Sequence, residues 1–456
     1  MRAVSVFLTA AVAALADGGD DVLFAQDGPM TYHEAHDLLR RLHGGLGDVD
    51  VVAVDLPNRP ATLLVQLAAM LRGARVLLVP ASAPRAHQLA AAEAAGVTTV
   101  ITDRPGAWTG DVRTVADLDG APVPFHPPQA VDVLFPTGGT TGTPKLVRHS
   151  GIYDGMAHIF RRSPGERTLV VAPLTHLTGH ASVVGTLLTG GTAVLHDGFD
   201  AAAVLAAIER HRITSLSLTP PRLAAVLDHP ARPGTRLSSV RSLSLGAAPL
   251  PPHRLAQALE VFGPVVGQGY GLTEAPMIAS ISAAELTGRP ERLGSVGRIV
   301  PGMAARVADG EVEVRGLSLM DGYLGEAPIG DGWLRTGDLG TFDDEGYLYL
   351  TDRADDIVVV GEHGTKVAPS TVENALIAHP AVRAAAVFGV PGAEGTDLHA
   401  VVVADGEVTA DDVRAHAREA FGREHYVPSG VDFVDALPLT GVGKVDKRAL
   451  RAAITG

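Results

Sequence analysis

The sequence predicts an α/β protein, with a large N-terminal domain of layered α/β subdomains plus a β subdomain, followed by a small α+β C-terminal domain. Three observations predict it. Short apolar runs alternate with Ala/Leu-rich helical stretches through the first two thirds of the chain, the pattern of parallel sheets covered on both faces. From about residue 294 to 350, Gly-punctuated short strands replace that alternation. Near Thr351-Asp352-Arg353 a new strand and helix series begins. The expected division is 1–351 and 352–456, with a flexible joint between the two bodies.

The elements follow in order. Residues 3–16 form an apolar run expected to be an amphipathic first helix rather than a secretory leader, because Val22-Leu23-Phe24-Ala25 reads directly as a strand and Asp27-Gly28-Pro29 as a turn. Strands are expected at 51–56, 75–79, 98–102, 131–135, 168–171, 192–195, 214–218 and 241–245, with crossover helices such as 60–71 and 201–211 between them. Short strands at 305–307, 311–315 and 346–350 make up the β subdomain. The last hundred or so residues, a common domain size, read as strand 357–360, helix 369–378, strands 383–388 and 399–403, helix 409–421 and strand 431–434.

Composition narrows the chemistry. The 456 residues are 46% hydrophobic, enough for more than one core. Lys and Arg total 37 against 51 Asp and Glu, a formal charge of -14, which argues against a nucleic-acid partner. Any phosphate ligand must therefore be held by a local site. There is no cysteine, which excludes disulfides, thiolate zinc sites and a thioester on the enzyme itself. No apolar run reaches the ~20 residues that span a bilayer, so no membrane partner and a cytoplasmic location are expected.

The most informative stretch is Leu134-Phe135-Pro136-Thr137-Gly138-Gly139-Thr140-Thr141-Gly142-Thr143-Pro144-Lys145, directly after a strand. Glycines let backbone N–H groups converge, while Thr137, Thr140, Thr141 and Lys145 add donors suited to a polyphosphate. By composition alone the stretch fits a polar surface turn as well. It is not a Walker A loop, and Gly267-Gln268-Gly269-Tyr270-Gly271 lacks dinucleotide-loop spacing.

The loop resembles the signature of the adenylate-forming superfamily, which unites acyl- and aryl-CoA ligases, peptide-synthetase adenylation domains and luciferases. The resemblance covers nearly the whole chain, because further motifs follow in the family's order: Pro173-Leu174-Thr175-His176, Gly246-Ala247-Ala248-Pro249-Leu250, Tyr270-Gly271-Leu272-Thr273-Glu274, Gly322-Tyr323, Thr336-Gly337-Asp338, Asp352-Arg353 and Thr440-Gly441-Val442-Gly443-Lys444. Most similar is a stand-alone acid-CoA ligase.

The resemblance implies a role for each match. Tyr270 offers a face for adenine, with Gly246, Ala247 and Ala248 on the other side and Gly271 beside it. Asp338 suits the ribose hydroxyls and Arg353 the same sugar. Thr273 falls on the α-phosphate and Glu274 on Mg²⁺, a hard oxygen for a hard cation. Lys444 is the tail lysine that enters the site during adenylation, where a point cation bridging carboxylate and phosphate favours the transition state. Asp355 matches the hinge about which the small, mobile C-terminal domain rotates. His176 gates the acyl pocket, and His180 and Gly269 lie along it. The small residues Gly179, Ala181, Ser182 and Gly185 fit an acyl group or tight helix packing. Zinc on His176 and His180 is disfavoured because no metalloprotease Glu accompanies them and Gly179 weakens a helix there.

Departures matter too. Gly138 replaces a serine common in this loop. The segment 361–365 is about two residues longer than usual, which touches the acceptor tunnel, and the N-terminal lobe is short. Only one short helix is expected beyond Lys444, so a carrier protein would be a separate chain. The expected reaction uses ATP and Mg²⁺ to activate a small carboxylic acid, aromatic or of medium aliphatic length. The acyl group then passes to CoA or, alternatively, to an amine or a carrier thiol. The rival of a different class is a non-catalytic nucleotide- or acyl-binding protein.

Overall fold

The computed structural model describes residues 4–455 apart from 27, 138–143, 161–162, 164, 331, 362–363, 393–394 and 441–442. Two large sheets dominate the N-terminal part. One has seven strands, with a parallel run formed by Asp132–Pro136, Arg75–Leu78, Val51–Asp55, Thr99–Thr102 and Asp111–Arg113. The other has nine, with a parallel run from Val22–Phe24 through Thr192–Leu195, Arg167–Val170, Ser215–Leu218 and Ser242–Gly246 to Val266–Leu272.

Helices Pro60–Leu71 and Leu177–Thr189 belong to the core cluster shared by both sheets. Burial on every side explains why residues 62–71 are apolar almost all round. Pro60 opens the first helix at a position where its missing N–H costs nothing. The expected helix 201–211 is Ala201–His211, capped by the Asp200 carboxylate.

The β subdomain is a four-stranded antiparallel sheet of Met303–Ala308, Glu311–Gly316, Leu334–Phe342 and Leu348–Arg353. A separate five-stranded sheet with its own apolar core, covered by helices Pro369–Ile377 and Ala410–Phe421, forms the C-terminal part.

Several expectations are corrected. The strand expected at 241–245 takes in Gly246, which pairs with Gly269; a Cβ at 246 would lie 2.6 Å from the Gly269 carbonyl oxygen. Strand Leu334–Phe342 was not anticipated, since Gly337 and Gly340 make it read as a loop. Gly179 does not weaken its helix. The backbone of Ala172 and Pro173 packs so closely that a Cβ there would lie 2.2 Å from the Pro173 oxygen, so the helix requires glycine at that point. A Cβ at Gly185 would likewise meet the Phe160 ring at 2.8 Å, and at both positions packing accounts for the small residue. Among the described residues, no helix is long and apolar enough to cross a membrane.

Candidate active site

The site gathers at the ends of strands from three sheets. Strand Val266–Leu272 turns back as Ala275–Ile281 in a hairpin so tight that a Cβ at Gly271 would be 2.2 Å from the Pro276 oxygen. On its way it carries Tyr270, whose phenol donates to Asp338 Oδ2 at 2.5 Å. Asp338 stands opposite Arg353 in the four-stranded sheet, and the guanidinium approaches its other oxygen at 3.4 Å. Gly337, at φ +75°, leaves room for that guanidinium, since a Cβ would come within 2.8 Å of Arg353 Nη2.

Burial pushes the Asp338 carboxyl pKa up, while the Tyr270 bond, Arg353 and Lys444 pull against it. Burial beside that carboxylate raises the Tyr270 phenol pKa well above its ordinary value. The Thr336 hydroxyl donates to the Val312 carbonyl and accepts from the Asp338 N–H, fixing the strand that presents the carboxylate.

Beyond the hairpin, the Tyr323 phenol donates to Glu274 Oε1 at 2.9 Å. The Lys145 ammonium sits 4.4 Å from the Tyr323 ring centroid and 4.0 Å from Glu326. Thr137 and Lys145 close the ends of the glycine-rich stretch, with the Thr137 N–H donating to the Lys145 carbonyl at 2.9 Å. Gly138, Gly139, Thr140, Thr141 and Gly142 lie outside the described residues. The Thr273 carbonyl is 2.7 Å from His149 Nε2.

A cleft of about 330 Å³ opens here, lined by Glu274, Tyr323, Thr336, Gly337, Arg353 and Asp355 among others. Asp355 lies in the short turn Ala354–Asp356 that leaves the four-stranded sheet. Ala247 follows strand Ser242–Gly246 at φ +68°, a left-handed conformation rare for alanine that turns the chain at the strand end.

Lys444 reaches this neighbourhood from the C-terminal part. Lost solvation and Arg353 hold its ammonium pKa down, opposed by Asp338 and Glu274. The side chain as a whole remains exposed, so the crowding is that of cleft walls rather than a closed core. His176, just before helix Leu177–Thr189, is held down to about 4 by burial and then by the charges of Lys444 and Arg222. Burial and both positive charges oppose its protonation.

His180 lies one turn on. Its Nδ1 faces Gln66 Oε1 at 3.0 Å, and burial alone lowers its pKa to about 4. Its surroundings are Tyr153, Phe135 and Gln66 rather than the charged cleft. Gly269 is in the strand carrying Tyr270, with nothing nearer to an added Cβ than Met277 Sδ at 3.9 Å.

Sequence reasoning missed Thr219 and Arg222, which meet the tail beside Lys444, and Glu311, whose carboxylate accepts from Arg335 and from the Gly337 N–H at 2.9 Å. No motif flags Thr219 or Arg222. The signal for Glu311 was its place facing Thr336-Gly337-Asp338 in a β subdomain.

Fold and cleft together define a two-part α/β enzyme in which a lysine-bearing tail closes on a charged cleft. The AMP-binding enzyme family matches over residues 12–324, and the AMP-binding enzyme C-terminal domain over 371–444. The chain belongs to that family, the adenylate-forming enzymes. A medium/long-chain-fatty-acid–CoA ligase of Mycobacterium tuberculosis is 37% identical over 361 residues, an alignment covering 72% of this chain and 62% of that protein. Among solved structures, an amide bond synthetase of Marinactinospora thermotolerans is 32% identical with a TM-score of 0.85, covering 98% of this chain and all of that one. An o-succinylbenzoate CoA synthetase of Bacillus subtilis, in complex with ATP and magnesium ion, is 27% identical with a TM-score of 0.82 over 98% and 99% of the two chains.

Proposed function

We propose that this enzyme activates a small carboxylic acid with ATP and transfers the acyl group to CoA. A carboxylate oxygen attacks the α-phosphorus, the bond to the β-phosphate oxygen breaks, and pyrophosphate leaves. The CoA sulfur then attacks the carbonyl carbon of the acyl-AMP, AMP departs with the bridging oxygen, and the thiol proton passes to solvent.

The observation that carries this reading is Lys444, brought by the tail into the field of Asp338, Glu274 and Arg353. Attack of one anion on another needs a cation that strengthens its grip as charge develops, and a binding protein has no such need. In this account Tyr270 and the Gly246-Ala247-Ala248 turn hold adenine, Asp338 and Arg353 the ribose, and Thr273 the α-phosphate. The Thr137–Lys145 stretch receives the leaving pyrophosphate.

Glu274 offers one hard oxygen donor, and the described residues contain no cluster of three acidic or histidine ligands. That set fits Mg²⁺ held by one carboxylate plus substrate phosphates. The ion would supply charge neutralisation on the triphosphate.

The neutral His176 imidazole walls the acyl pocket without adding a third cation beside Lys444 and Arg222. His180 and Gly269 would extend the pocket. The boundary expected at 351/352 cuts strand Leu348–Arg353 and moves to the Ala354–Asp356 turn that follows it, with Asp355 as the hinge for rotation between half-reactions, and the enzyme works in the cytoplasm.

The second reading keeps the adenylation and sends the acyl group to an amine, favoured by likeness to the amide bond synthetase along 98% of this chain. Acid-dependent ATP–pyrophosphate exchange across a panel of aromatic and aliphatic acids tests the shared first step. CoA-driven AMP release then supports thioester formation. Indifference to CoA with amide formation from added amines supports the second reading.

A further inference from the structure

We infer that Thr219 is the docking contact that holds the tail in the lysine-in arrangement, making it a positioning residue for adenylation and not for acyl transfer. The inference rests on the adenylation reading above. The Thr219 hydroxyl donates to the Gly443 carbonyl at 2.9 Å in a buried bond between residues 224 apart in sequence.

Thr219 immediately precedes helix Pro220–Leu227, the position where a threonine ordinarily caps its own helix. Here it caps nothing. The hydroxyl instead donates to the tail, at the Gly443 carbonyl.

Contact on this surface is close. Gly443 sits at φ +82°, and a Cβ there would lie 2.9 Å from Thr219 Oγ1 and 2.6 Å from Arg222 Nε. Thr219 and Arg222 are themselves buried, so they form a floor that only a glycine can approach.

The tail transmits the position of Gly443 to Lys444 with little slack. The Gly443 N–H donates to the Thr440 carbonyl at 2.7 Å, the Thr440 N–H to the Lys444 carbonyl at 2.7 Å, and the Lys444 N–H to Thr440 Oγ1 at 3.2 Å. Adjacent Cα atoms are about 3.8 Å apart, so fixing Gly443 within this turn fixes the base of the lysine. The Thr219 bond exists only while the tail is docked. It therefore contributes to the half-reaction that needs Lys444 and to nothing in the other.

The test separates the two half-reactions in Thr219→Val, which keeps the shape and deletes the donor. Acid-dependent ATP–pyrophosphate exchange falls about tenfold in rate, the scale of a lost buried hydrogen bond that leaves a carbonyl unpaired. Consumption of a preformed acyl-adenylate, made from an acid that the parent exchanges, holds or rises. Thr219→Ser recovers most of the exchange. Equal loss in both half-reactions, or parent-like exchange, overturns the inference.

Amide hydrogen exchange over 438–446 in the ATP-bound chain gives a readout independent of turnover: faster exchange in Thr219→Val supports the dock, and unchanged protection refutes it. A parent without acid-dependent exchange but with that protection difference would instead refute the adenylation reading and leave the dock standing.

Discussion

The Tyr270 phenol and the Asp338 carboxylate, 68 residues apart in sequence, meet at 2.5 Å beside the cleft. The ring proposed for adenine is thereby tied to the carboxylate proposed for the ribose, so each orients the other. Tyr270→Phe keeps the ring and removes the tie, at a cost of about 1 kcal/mol. The expected result is a KM for ATP raised by roughly fivefold with a smaller change in kcat. Asp338→Ala should do more harm, because it strips both Tyr270 and Arg353 of a partner. Initial-rate kinetics of pyrophosphate exchange check both.

The neutral His176 gives the lysine-in arrangement a pH dependence. Its pKa is near 4 here against an ordinary 6.5, through burial first and then the charges of Lys444 and Arg222. Withdrawal of the tail removes that charge and raises the proton affinity of the imidazole. The docked arrangement therefore binds fewer protons, is favoured as pH rises, and loses ground as pH falls toward 4. Exchange should decline across that window more steeply than transfer from a preformed acyl-adenylate, and His176→Asn should narrow the gap. Superimposable profiles for the two half-reactions would contradict this.

Glu274 is expected to set the magnesium requirement. Glu274→Gln retains an oxygen to accept the Tyr323 bond but loses the charge that attracts a divalent ion. Half-maximal exchange should then require roughly tenfold more Mg²⁺, with partial recovery at high concentration. A magnesium titration that overlays the parent curve would rule out the assignment.

The C-terminal part has an ionic anchor of its own. Lys447 Nζ lies 2.6 Å from Glu373 Oε1, and the same oxygen accepts from the Val387 N–H at 2.7 Å. Lys447→Met leaves a largely buried carboxylate without its cation, a loss of about 3 kcal/mol in stability. The double change with Glu373→Gln should return part of it. Denaturant unfolding of the intact chain reads both, and the exposed Lys444 replaced by alanine serves as a control with unchanged stability.

The parallel sheets and helix Pro60–Leu71 were legible because continuous apolar runs and an N1 proline state their surroundings locally. Strand Leu334–Phe342 was hidden, since glycines that admit Arg353 and pack on Tyr349 and Val312 also erase the alternating pattern. Lys444, Asp338 and Tyr270 were legible as members of an ordered motif series. The Tyr270–Asp338 bond and the Thr219–Gly443 bond beside Lys444 were not, because a hydrogen bond between residues 68 or 224 apart depends on how sheets and tail pack. Thr219 had no signal at all: a threonine before two prolines reads as a helix start, and only the folded chain shows that its hydroxyl serves another segment.

The most direct test is acid-dependent ATP–pyrophosphate exchange in Lys444→Ala, alongside ATP binding in the same protein. The account predicts exchange reduced by about two to three orders of magnitude, the scale of losing a group that stabilises developing charge, with ATP binding nearly unchanged. Equal exchange in variant and parent would contradict it.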